Sequence, residues 1–238
     1  MTNKKTSVTN PILRMAVAVD LVILTVQHDE LHVLLIRRGI APYKNRWALP
    51  GGFVRANESL EQAAERELEE ETGIASARVG HIEQLATFGA PKRDPRERVI
   101  SVAYVAVVPN LPPPTPGGDA YAAKITPVLP LLSEESLLAF DHEAILRAGV
   151  ERARAKLEYT PLATAFCEAH FTIHELRKVY EAVWGSKLDP ANFHRKVTKT
   201  PGFVESTKEM VRGESGRPAQ VYRQGQTRTL YPPLLRTS

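Results

Sequence analysis

Three carboxylates, Glu67, Glu70 and Glu71, stand at i, i+3 and i+4 within the stretch GGFVRANESLEQAAERELEEETGI, residues 51–74. On a helix they share one side. Crowded like charges repel, and a hard divalent cation with oxygen ligands removes that repulsion, so Mg²⁺ or Mn²⁺ is the expected occupant. Gly52, Glu58 and Arg66 precede them in register, with five residues between the first two and seven between the second pair. A solvated acidic helix face accounts for ELEEE alone, but not for the whole series. A cation held there could lower the pKa of a bound water, the basis of metal-assisted hydrolysis. Any of the glutamates, or one from another loop, could take the proton of that water.

The elements that must position these residues are legible around them. Ser59 with Gln62 forms a capping box, so a helix starts there. Leu60, Ala64 and Leu68 give it a buried stripe, and Gly73 ends it. Upstream, Met15 to Gln27 predicts a strand buried on both faces. His28, Asp29 and Glu30 make a turn, and Leu31 to Arg38 is the return strand. Downstream, Val79 to Phe88, Val99 to Val108 and Ala123 to Leu132 carry strand patterns, and Asp141 caps a helix through about Leu157. The loop before Val99 holds Lys92, Arg93, Arg96 and Arg98. It reads either as a solvated charged turn or as a diphosphate site, since arginines donate paired hydrogen bonds to phosphate oxygens.

The chain is 43% hydrophobic and 24% charged, with a single cysteine, Cys167, and so no intramolecular disulfide. The longest apolar run, Ala16 to Val26, is interrupted by Asp20 and is too short to span a bilayer. No signal peptide is apparent, and a cytoplasmic location without membrane partners is expected. The net charge of +4 is uneven: residues 171–238 hold 12 Lys+Arg against 6 Asp+Glu, a balance of +6. A basic tail behind an acidic body is a cue for nucleic acid.

That tail predicts a three-helix unit with a hairpin. Thr160-Pro161 opens a short helix to about Ala169. Thr172 and Glu175 form a second capping box, Leu176, Val179, Tyr180 and Val183 face inward, and Gly185 ends the second helix. Asp189-Pro190 starts a third, with Phe193 and Val197 inward and Asn192, Arg195, Lys196 and Lys199 outward. Phe203 to Val211 and Ala219 to Arg223 pair around a tip that carries Arg217. Helix, helix, basic helix and β-hairpin is the order of a winged helix-turn-helix. A small helical domain that only holds a dimer together is the competing reading. The expected organisation is an α/β (α+β) domain over residues 1–157 and a DNA-binding domain over 158–238.

The series G-x5-E-x7-R-E-U-x-E-E-x-G-U, with U aliphatic, resembles the Nudix box, and W-x-L-P-G-G-F before it resembles the usual Nudix entry. R-D-P-R-x-R-V-I-S-V-A-Y is similar to a segment of Nudix domains that handle ADP-ribose in NAD metabolism, with Glu97 where those relatives often have glycine. With F-T-x-x-E-L-R-x-V-Y-E-A, N-F-x-R-K-V and G-R-P-A-x-x-Y-R behind it, the chain from about Leu13 to Arg223 resembles the Nudix-related transcriptional regulators of NAD metabolism. The resemblance implies a Nudix α/β/α sandwich with a mixed sheet, followed by a winged helix. It also implies a homodimer that represses genes of NAD synthesis or salvage by binding double-stranded operator DNA, and that ADP-ribose or a similar nucleotide releases. ADP-ribose would lie near Arg93, Arg96 and Arg98, Gly52 would lend its carbonyl to the metal shell, and Arg66 with Glu58 would brace the loop onto the helix. Many such regulators have a degraded box and this chain does not. An ADP-ribose pyrophosphatase whose C-terminal unit serves dimerisation therefore stays open as the alternative.

Overall fold

The apolar run after Met15 becomes β1 (Ala16–Gln27), the strand around which the N-terminal sheet is laid out. It turns at His28 and Asp29, both at positive φ, into antiparallel β2 (Glu30–Arg38). On its other side it runs parallel to β6 (Val99–Val107), from Ala16 opposite Val99 to Leu24 opposite Val107. β5 (His81–Phe88) flanks β6, β3 (Trp47–Ala48) and β7 (Ala120–Pro127) both pair with β2, and β4 (Gly51–Phe53) pairs with β1. The sheet is therefore mixed. The computed structural model describes residues 13–73, 79–114, 120–132, 138–212 and 216–236, without the side chains of Glu71, Thr72 and Ala120. No helix among them is long and apolar enough to cross a membrane.

Successive residues of a strand face opposite sides, and both sides of β1 are covered. Val19, Leu21 and Ile23 pack with Ala63, Ala64 and Leu68 of α1 (Leu60–Thr72). Val22 and Leu24 pack with Ile145, Leu146 and Val150 of α2 (His142–Tyr159). This is why the run reads as continuous apolar sequence rather than alternation. The strand expected to reach Leu132 stops at Pro127, and residues Leu129–Leu132 form a 3₁₀ turn. Pro127 and Pro130 lack the N–H that would continue a ladder. Asp141 stands at the N-cap of α2 but makes no side-chain cap bond, because its carboxylate is held by Arg93.

In the C-terminal unit Thr160 caps a 3₁₀ helix that ends at Phe166, short of the expected Ala169. Then come β8 (Phe171–Thr172), α3 (Ile173–Trp184), α4 (Pro190–Lys199), β9 (Val204–Arg212) and β10 (Pro218–Gln224). The strands form one sheet in the order β8-β10-β9. The Thr172–Glu175 capping box is made, and Gly185 closes α3 at φ 73°. The hairpin tip at residues 213–215 lies outside the described residues. α2 ends at Tyr159, and one apolar cluster runs from Leu24 and Leu146 to Tyr180, Phe193 and Phe203. Three polar bonds fasten α3 to the end of α2: Tyr180 Oη donates to Leu157 O (3.1 Å), Trp184 Nε1 to Arg154 O (3.2 Å) and Arg154 Nε to Val183 O (3.0 Å).

Candidate ligand cleft and nucleic-acid interface

Gly51 and Gly52 lead the chain past β1 toward α1 with no room for side chains. A Cβ on Gly51 would lie 2.2 Å from Val19 O, and one on Gly52 2.1 Å from Glu67 Oε1. Glu67 thus sits against bare backbone. Arg66 gathers the neighbouring acids. It donates twice to Glu58, Nε at 2.9 Å and Nη2 at 2.7 Å, and reaches Glu67 Oε1 and Glu70 Oε2 through Nη1. Its Nη2 also donates to Phe53 O (3.2 Å). Arg66, with the Arg55 backbone N–H, holds the Glu58 carboxyl down to about 2. Glu67 shifts the other way: burial disfavours its ionised form more than Arg66 favours it, and its pKa rises. Arg55 Nη2 donates to Glu70 at 3.1 Å. The Glu71 side chain lies outside the described residues, which contain no cluster of three metal-type donors. Glu67 and Glu70 are the described carboxylates that could contribute to one.

These groups line one wall of a cleft of about 350 Å³. Its floor is a buried polar knot. Arg93, with its side chain 4% exposed, donates to Asp20 (3.0 Å) and twice to Asp141 (3.0 and 2.7 Å). Asp20 also accepts from the Ser101 hydroxyl. The Leu49 N–H donates to His142 Nδ1 at 2.9 Å, which assigns the ring proton to Nε2, 3.4 Å from Asp20 Oδ1. Burial pushes the His142 pKa below its usual 6.5, Asp20 and Asp141 oppose that shift, and Arg93 and Arg38 reinforce it. The unfolded chain therefore binds a proton that the folded chain refuses as pH falls below that value. The His142 contribution is complete above it and declines on acidification. Urea midpoints taken between about pH 7.5 and 5.5 should fall less steeply for His142→Gln than for wild type.

The outer part of the cleft is aromatic and cationic. Arg96 stacks over the Phe53 ring (5.0 Å) and the Phe140 ring (5.8 Å), and Arg38 over Phe140 (4.8 Å). Tyr43 meets Phe140 edge-on at 4.8 Å. The structure thus brings Gly52, Arg66, Glu67, Glu70, Arg93 and Arg96 to one cleft. Arg93 and Arg96 enter it already engaged by carboxylates, Arg96 by Asp94 at 3.0 and 2.7 Å. Arg98 is not among the lining residues, its Nη1 is buried without a hydrogen-bond partner, and Lys92 is exposed. Sequence reasoning missed Asp20, His142, Phe53 and Phe140. Asp20 had a signal, a lone carboxylate inside an apolar run, which in a doubly covered strand needs a buried cation.

On the C-terminal unit Phe193 (4% exposed) and Val197 (0%) anchor α4. Asn192, Arg195, Lys196 and Lys199 are all exposed, and Arg195 Nη2 donates to Asn192 Oδ1 at 2.7 Å. Arg217 is exposed beside the hairpin tip.

A sandwich with a glycine–glutamate cleft, joined to a helix-turn-helix with a wing, is a two-part protein with a small-molecule half and a nucleic-acid-type half. Comparison with known proteins agrees on both halves. Residues 14–148 match the NUDIX domain family, and residues 164–224 the NrtR DNA-binding winged helix domain. The chain is 35% identical to the ADPR responsive transcriptional repressor NtrR of Acinetobacter baylyi, over 86% of this chain and 80% of that one. It is similar to Shewanella oneidensis NrtR in complex with a 27mer DNA, with a TM-score of 0.73 and 30% identity over 90% of this chain and 99% of that one. It is also similar to the isolated NUDIX domain of the same NrtR in complex with ADP ribose, with a TM-score of 0.53 and 33% identity over 59% and 89%. The chain belongs to the NrtR family of Nudix proteins.

Proposed function

We propose that this protein is a transcriptional repressor that binds operator DNA through its winged helix and senses ADP-ribose, or a related nucleotide of NAD metabolism, through its Nudix cleft. The observation that carries this reading is the joining, in one chain, of that cleft to a winged helix whose α4 turns Arg195, Lys196 and Lys199 to solvent. The relatives named for ADP-ribose response and solved with DNA match it over most of their length. Operators with two-fold symmetry need two such units about one helical turn apart, so the working form is a homodimer. A repressor works where its operator DNA lies, so its place in this reading is the cytoplasm, as expected for the bacterial relative from Acinetobacter baylyi.

Mg²⁺ or Mn²⁺ belongs to this reading. Glu67, Glu70 and Glu71, with the Gly52 carbonyl, would hold it, and the fit rests on the donor chemistry: the carboxylates of Glu67 and Glu70 beside the Gly52 backbone at one cleft, the oxygen donors a hard cation takes. When bound, such an ion neutralises a diphosphate and lowers the pKa of a bound water. The chain's own part is positional: Arg66 ties Glu58, Glu67 and Glu70 together, and Arg55 adds a second hold on Glu70. The complete box keeps hydrolysis of ADP-ribose as the second reading, and Glu70→Gln with Glu71→Gln should abolish any such turnover.

A gel shift on DNA from upstream of NAD-synthesis or salvage genes tests the first reading. The protein should retard that DNA at nanomolar concentration and moderate salt, and ADP-ribose should reverse the shift, since a ligand moves an equilibrium only by its differential affinity for the two states. Equal, weak, salt-sensitive binding to every fragment would leave the hydrolase as the better account.

A further inference from the structure

We propose that residues 225–236, which follow β10, are a strap that carries the state of the ligand cleft to α4. The inference rests on the ADP-ribose-sensing, operator-binding function proposed above and adds the connection through which one site acts on the other. α2 is the element the two sites share. Its first residue, His142, lines the cleft, and Arg93 holds the Asp141 carboxylate just before it. Its other end, 18 residues and about 27 Å further on at roughly 1.5 Å per residue, meets the C-terminal unit.

The last four carbonyls of a helix have no partner within it and must find one elsewhere. In α2, Lys156 O accepts from the Thr160 N–H and Leu157 O from the Tyr180 hydroxyl of α3. The strap satisfies the other two. The Leu234 N–H donates to Glu158 O (2.9 Å) and the Leu230 N–H to Tyr159 O (2.8 Å), with both leucine side chains buried. Arg236 fastens this end to Glu158 (3.3 Å) and Glu151 (3.4 Å). The start of the strap is fixed to the turn after α4. The Gly225 N–H donates to Phe203 O at 2.9 Å and the Thr227 N–H to Gly202 O at 3.0 Å. The approach is so close that a Cβ on Gly225 would lie 2.1 Å from Gly202 O. Leu234 and Leu235 also line one small cavity with Phe193 and Lys196 of α4.

The C-terminal unit is thus tied to α2 twice. The bonds from α3 make one attachment, about which α4 could still swing. The strap makes a second, through the turn that follows α4, and two separate ties stop that swing. A rigid helix passes a displacement of one end only to what is fixed to the other. With the strap closed, a shift at Asp141 and His142 on ligand binding reaches α4. With it open, the winged helix keeps its DNA-binding surface and loses its response.

The test measures operator Kd by fluorescence anisotropy with and without saturating ADP-ribose, and ADP-ribose Kd by calorimetry. It uses the full chain, Leu234→Ser and a chain ended after Gln226, and Leu234→Ser decides if the shortened chain does not fold. ADP-ribose should weaken operator binding by wild type about tenfold or more, within the usual range of coupling between two sites. The variants should bind ADP-ribose as wild type does, yet their operator Kd should change less than about threefold on adding it. A strap that only holds the fold would weaken operator binding by the same factor with and without ADP-ribose. That preserved ratio, or a variant that loses either ligand outright, overturns the proposal. A wild-type protein whose operator binding ignores ADP-ribose would remove the sensing function instead.

Discussion

Replacing Arg93 with alanine will destabilise the fold by about 3–5 kcal/mol, the range expected when one partner of a buried ion pair is deleted. The urea midpoint should drop while the slope of the transition stays constant. The size follows from what the guanidinium leaves behind. Asp20 is 7% exposed and would keep only the Ser101 hydroxyl and the His142 Nε2–H, and Asp141 would lose both of its bonds to the loop before β6. Arg147→Ala is the contrast. Its i,i+4 pair with Glu143 is largely solvated (52% and 34% exposed), worth about 0.3–0.5 kcal/mol, and its exposed bond to Leu132 O (2.8 Å) adds about 1 kcal/mol at most. Arg93→Met combined with Asp20→Asn and Asp141→Asn should recover part of the loss, because no bare charge remains buried. An Arg93→Ala protein within about 1 kcal/mol of wild type would show that Asp20 and Asp141 do not depend on this cation.

That knot marks where the sequence was legible and where it was not. Periodicity and caps are local, so they reported α1, α3 and α4 with their Ser59, Thr172 and Asp189 caps. They also reported the doubly buried β1, whose unbroken apolar run needs cover on both faces. The box residues were legible because the helix itself brings them together. The cleft floor was not, because it is assembled from β1, the loop before β6 and the start of α2, some 73 and 48 positions apart along the chain for the two partners of Arg93. Asp141 looked like a helix cap because a cap needs only a local N–H. The distant Arg93 competes for the same carboxylate and wins, since a bidentate pair with a full cationic charge gives two charge-assisted bonds where a cap N–H gives one. The end of β7 was overestimated because hydrophobicity continued past two prolines that the ladder cannot use. The arginines of the loop were read as equivalent. Only the fold separates them into a buried brace (Arg93), a stacked face (Arg96) and a head outside the cleft (Arg98).

Arg195→Ala should weaken operator binding by about 1–3 kcal/mol and relax sequence preference at one position of each half-site, while leaving stability unchanged. The helix that presents it does not depend on it. Phe193 and Val197 hold α4 to the core, Tyr180 packs against Phe193 at 5.1 Å, and Asp189 caps the first turn. Arg195 instead faces solvent, where its contact with Asn192 Oδ1 limits the conformers that must be frozen on binding. An arginine ordered in this way can donate a bidentate pair to guanine O6 and N7 in a major groove. Lys199→Ala makes the comparison informative. A terminal-turn lysine meets phosphate rather than bases, so its loss should weaken specific and random DNA alike and make the salt slope shallower by about one unit. Fluorescence anisotropy over a salt series, on operator and scrambled duplexes, separates the two behaviours. If Arg195→Ala lowers affinity for both duplexes equally, as a lost phosphate contact does, α4 is not the element that reads the bases. If neither variant changes binding, DNA approaches the winged helix by another face.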